Sequence, residues 1–111
     1  MENNIVRHIL LGKFRPEMTA TQLDEIIRCF REMAEKIPGT LSFEHGANNS
    51  SEGRDLGMTE VIIVTFRDAA ARDAYLVHPD HIRFSTWLGE LNLIQDLVIV
   101  DFTPQTVDHR Q

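Results

Sequence analysis

The chain has 111 residues, 42% hydrophobic and 25% charged, which suffices for one domain with a real core and is too short for two. A formal net charge of −6, with no cluster of Lys or Arg, argues against nucleic acid and anionic membrane surfaces as partners, because both select a positive footprint. No uncharged apolar run approaches the roughly 18–20 residues that cross a bilayer.

The first residues, "MENN", carry no basic or long apolar segment, and the single Cys29 cannot close an internal disulfide. Both features lead to the expectation of a reducing, cytoplasmic setting.

Residues 5–14, "IVRHILLGKF", are β-branched and aliphatic and predict a first strand ended by the breaker "RPEMT". Alternation puts Val6, His8, Leu10 and Phe14 on one face, and Ile5, Arg7, Ile9, Leu11 and Lys13 on the other. A helix follows, in which Leu23, Ile26, Ile27, Phe30, Met33, Ala34 and Ile37 keep the i, i+3, i+4, i+7 spacing of one buried stripe, leaving Cys29 off it. Thr19 with Gln22, or Thr21 with Asp24, supplies its cap, and Pro38-Gly39 stops it.

Residues 40–47 and 58–66 read as a hairpin whose polar connection, 48–57, is either a lid or a solvated link. Asp68 opens a second helix, "DAAARDAYLV". His78-Pro79 interrupts it, since the residue before a proline avoids the helical region and proline suits the first helical position; a third helix begins at Pro79. Residues 96–102, "DLVIVDF", form the last strand, and 104–111 are expected to be a flexible tail beyond a domain over 1–103. The order βαββαβ is the ferredoxin-like α+β plan, with helices on one face of a four-stranded antiparallel sheet. Val61–Val64 and Leu97–Val100 are apolar without a break. Both sheet faces therefore call for cover, and a second copy of the sheet would supply it, giving a homodimer.

Five residues are candidates for a site. His81, third in the third helix, faces unpaired amides and a helix dipole that disfavour the imidazolium, while Asp80 acts the other way. A neutral histidine beside the hydroxyl of Tyr75 is adequate for cofactor-free carbonyl chemistry: the imidazole removes a proton next to a carbonyl and the phenol steadies the enolate oxygen. His8 is either a satisfied core histidine or a third member. His78 is either a ligand-binding residue or a junction residue accepting from a first-turn amide. Glu60 either marks the wet end of its strand or orients a histidine. Phe84, Trp87 and Leu88 share a helical face and read as core. No metal-ligand spacing such as H-E-x-x-H occurs, so neither metal nor cofactor is expected.

The segments "VRHILLGKF", "KIPG", "SFEHGANNSSEG", "VTF", "AYLVHPDH" and "VDF", in that order, resemble the stress-responsive dimeric α/β-barrel (Dabb) family over residues 5–103, the Tyr-x-x-His-Pro-x-His block most specifically. The resemblance implies a ferredoxin-like protomer that pairs sheet to sheet. It also implies kinship with plant polyketide cyclases, which carry out an intramolecular aldol condensation without a cofactor. Their tyrosine and second histidine match Tyr75 and His81, and the strand-one histidine matches His8. Where those cyclases have a further histidine in the third strand, this chain has Glu60. A cofactor-independent cyclase or lyase acting on a small carbonyl or phenolic molecule is the leading expectation. A non-enzymatic binding dimer and a monooxygenase of the wider barrel group are its rivals.

Overall fold

The computed structural model describes residues 4–105 and 107, so most of the tail expected over 104–111 lies outside the described residues. The elements are β1 (Val6–Phe14), α1 (Ala20–Lys36), β2 (Thr40–Ala47), β3 (Glu60–Phe66), α2 (Ala69–Val77), α3 (Pro79–Leu91) and β4 (Ile94–Phe102). The strands form one antiparallel sheet in the order β2-β3-β1-β4, the ferredoxin-like arrangement. Two boundaries differ from expectation. β3 starts at Glu60 rather than Met58, and β4 starts earlier, at Ile94, where a register shift between Lys13 and Phe14 admits an extra residue.

α1 begins with a reciprocal cap: Thr19 Oγ1 accepts from the Gln22 amide at 3.1 Å, and Gln22 Oε1 from the Thr19 amide at 2.8 Å. Its stripe of Ile26, Ile27, Phe30, Met33 and Ala34 is buried on the sheet. Cys29 is half-buried and packs at the margin of that stripe, closer in than its spacing suggested. After α1 the chain turns at Gly39, whose φ of +91° is left-handed and where a Cβ would come within 2.6 Å of the Ala71 Cβ. Only glycine allows α2 to lie that close.

The pairing of His8 with Val64, Leu10 with Ile62 and Val6 with Phe66 puts these residues on the helix-covered face. There Val64, Phe66 and Tyr75 form the sealed centre of the core, with Phe30 and Phe84 stacked above at a ring separation of 4.8 Å. The opposite face carries Ile9, Leu11, Val61 and Ile63, flanked on β4 by Val98, Val100 and Phe102, which are substantially exposed in the single protomer. No helix among the described residues is long and apolar enough to cross a membrane.

Candidate active site

The helix junction sets the site. Asp68 caps α2 by accepting from the Ala71 amide at 2.8 Å, which aims the Ala71–Tyr75 stripe, one turn apart, at the sheet. His78 stands extended between the helices, with φ −66° and ψ 136°, and its Nδ1 accepts from the Asp80 amide at 3.0 Å. It is therefore the amino-terminal cap of α3, the junction role that its position before Pro79 allowed. His81, one turn further on, returns to the sheet side.

Four aromatic side chains meet there. The Tyr75 ring lies 4.5 Å from that of His81, 6.1 Å from that of His8 and 4.8 Å from that of Phe66. Tyr75 has no exposed surface, and its hydroxyl has no hydrogen-bond partner. Burial raises its pKa, so the phenol stays protonated and remains a donor. An unmet buried donor costs about 1–3 kcal/mol, which an incoming acceptor would recover.

His81 is tuned the opposite way. Desolvation lowers its pKa, the neighbouring His8 lowers it further, and the bond to the Leu76 carbonyl works against both. Because a carbonyl only accepts, the 3.2 Å contact with Leu76 O requires the hydrogen on Nδ1. Nε2 is then the free base, 3.5 Å from Ser85 Oγ. His8 is held by an acid: Asp101 Oδ1 accepts from its Nδ1 at 2.7 Å, and Arg72 Nη1 donates to the other carboxylate oxygen at 2.9 Å.

Asp101 and Arg72 were absent from the sequence-based candidates. The signal available for Asp101 is the same as for Glu60, an acid interrupting an apolar strand. Glu60 cannot orient His8: it pairs with Gly12, about 13 Å along the strand from His8 at ~3.3 Å per residue. The acid that does so sits directly across from His8 on β4.

His8, His81 and Ser85 line a cavity of about 250 Å³ between α3 and the sheet, whose remaining walls include Leu10, Phe30 and Leu88. Its floor over β4 is loosely covered, with Leu97 and Ile99 about half exposed although they face the helices. The connection 48–57 supplies no lining residue. Asn48 ties it down by donating to Asp55 at 2.6 Å and to the Met58 carbonyl at 3.1 Å, so it is a held link rather than a lid. Among the described residues, no three His, Cys, Asp or Glu gather as a metal-holding group.

The stress responsive A/B barrel domain model matches residues 6–104. The chain belongs to that family. Among Dabb relatives, it is 28% identical over 103 residues to the A/B barrel protein HS1 of Arabidopsis thaliana, covering 92% of each chain. To olivetolic acid cyclase of Cannabis sativa it is 27% identical over 102 residues, covering 90% of this chain and 97% of the cyclase. The crystal structure of At3g17210 from Arabidopsis thaliana superposes with a TM-score of 0.86 at 26% identity, covering 94% of this chain and 99% of that one. A dimeric ferredoxin-like protein from Jannaschia sp. superposes at 0.77, also with 26% identity, over 91% and 100% of the two chains.

Proposed function

We propose that this Dabb domain binds a small carbonyl-containing or phenolic molecule in the cavity beside His8 and His81 and moves a proton on it without a cofactor. The observation that carries this reading is that one basic imidazole and one acid-held imidazole line the same apolar cavity, with the unpartnered phenol of Tyr75 packed behind the His81 ring, 4.5 Å away, rather than in the cavity wall. His81 Nε2 takes the proton next to a carbonyl, and the Tyr75 hydroxyl donates to the enolate oxygen. The enolate carbon then attacks a second carbonyl of the same molecule, and the new alkoxide takes the proton back from the imidazolium. Atoms and charge balance with no further reactant, and His8, steadied by Asp101, positions the substrate. The cyclase among the relatives supports this class of reaction.

Deuterium exchange next to the carbonyl of acetylacetone and its phenyl analogues, followed by NMR, tests the reading. The native protein should accelerate exchange, and His81→Ala should remove about 10²-fold or more of the acceleration. Exchange no faster than buffer, with binding retained, would leave the second reading, a binding protein without turnover. That alternative has its own support, since Tyr75 is fully sealed by its neighbours.

The working form in this proposal is a homodimer joined through the outer sheet face, which buries Val98, Val100 and Phe102 as apolar patches of that extent require. The dimeric Jannaschia neighbour supports it. A cytoplasmic setting belongs to the same proposal, supported by the lone thiol among 111 residues.

A further inference from the structure

Three polar side chains line the cavity between α3 and the sheet: His8, His81 and Ser85. The proposed reaction gives work to both histidines and leaves Ser85 unused. A serine inside a helix commonly turns its hydroxyl back to the carbonyl one turn earlier, as the neighbouring Thr86 does by donating to the Ile82 carbonyl at 2.9 Å. Ser85 turns to the ring instead. Its Oγ lies 3.5 Å from His81 Nε2, and because Nδ1 of that ring carries the hydrogen given to the Leu76 carbonyl, Nε2 accepts and the serine hydroxyl donates. One helical turn separates the two residues, so α3 itself holds hydroxyl and base side by side at the cavity wall.

We propose that Ser85 is a catalytic residue of the ring-closing step, relaying the proton from His81 to the second carbonyl oxygen of a substrate whose two carbonyl groups close on each other. The inference rests on the proposed proton transfer at His81 and adds a residue to it. Nε2 takes its proton from the carbon that becomes the nucleophile, whereas the oxygen that needs the proton back belongs to the carbon attacked, two bonds away. A hydroxyl beside Nε2 spans that gap, since it accepts and donates at once. Once the ring is an imidazolium, Nε2–H donates to Ser85 Oγ, which frees the serine hydrogen for the alkoxide. The imidazolium proton passes to Oγ as the serine hydrogen passes to the alkoxide, so the imidazole is restored, the serine is unchanged and the ligand gains a hydroxyl. The step consumes no other reactant. A separation of 3.5 Å is long for an O–H···N bond, and catalytic contacts of this kind tighten as substrate fills the site.

Heptane-2,6-dione with the full chain tests the relay, because deuterium exchange of its methyl groups and its closure to a six-membered ring are read in one NMR time course. Exchange needs the base alone, and closure needs base and relay. In Ser85→Ala exchange should stay within about twofold of the native rate while ring closure falls roughly 10²-fold, the worth of one positioned proton donor. His81→Ala should lose both. Ser85 is exposed and alanine favours the helix, so the variant keeps the fold. Ring closure by Ser85→Ala within about twofold of native overturns the proposal, and so does a variant in which exchange and closure drop together, which would make Ser85 a binding contact. Native protein that exchanges the dione without closing it overturns the relay as well. Failure of the underlying reading gives a separate result: the native protein then exchanges the dione no faster than buffer does, and the relay falls with it.

Discussion

On the helix-covered face of the sheet Val64 and Phe66 are wholly sealed, whereas on the opposite face Val100 and Phe102 remain 51% and 47% exposed. Both pairs are apolar side chains on strands of the same sheet. Two things separate them: α1, α2 and α3 cover the inner strands on one face and nothing in the protomer covers the other, while on the edge strand β4 even the helix side stays open, Ile99 being 50% exposed. Only the covered face can hold a buried histidine, because there Asp101 and Arg72 reach His8 from the edge strand and from α2. Burial and chemistry coincide on one side, and assembly is left to the other.

Substitutions can break this contrast. The largest effect belongs to Phe66→Ala, which should cost about 3–5 kcal/mol in denaturant unfolding, because the ring is wholly buried and its removal leaves a cavity in the core. An unfolding midpoint near that of the native protein would contradict the packing described. Asp101→Ala comes next, at about 1.5–3 kcal/mol, since it strips charged partners from both His8 and Arg72. NMR of the His8 ring should report its release as well, and an unchanged ring spectrum would argue against the contact.

A smaller effect is a pH dependence on the covered face. The pKa of His81 is lowered in the fold, so as pH falls through the ordinary value of 6.5 the unfolded chain takes up a proton that the folded one resists. Stability should decline from there toward the lower folded pKa, with no contribution from this ring above 6.5. His81→Gln should flatten that segment of the stability curve, and a curve that keeps its slope would assign it to another group. The smallest effect on the protomer is Val100→Lys on the open face, below about 0.5 kcal/mol for an exposed position. Its consequence should appear in sedimentation, as a shift from dimer to monomer, and a dimer that survives would move the interface elsewhere.

Much of the fold was legible because its signals are local. The apolar stripe of α1, the Thr19–Gln22 cap, the Asp68 cap and the break at His78-Pro79 each depend on residues within one or two helical turns. The candidate site was legible in part. Tyr75 and His81 sit six residues apart in one block, so a junction of known geometry brings their rings together. Asp101 was not legible, since it meets His8 across 93 residues of sequence. Glu60 carries the same signal, an acid in an apolar strand, but register pairs it with Gly12, four residues along β1 from His8 and outside the cavity that His8 lines.

The amino-acid order alone determined which segments are helix or strand, where they stop, and that the sheet would present two apolar faces, because those properties follow from periodicity and from the backbone limits of proline and glycine. The tertiary structure decided that His78 caps while His81 lines a cavity, that Asp101 rather than Glu60 holds His8, and that the phenol of Tyr75 is left without a partner. Those outcomes depend on strand register and helix placement, which join residues far apart in the chain and are fixed only when the whole sheet pairs.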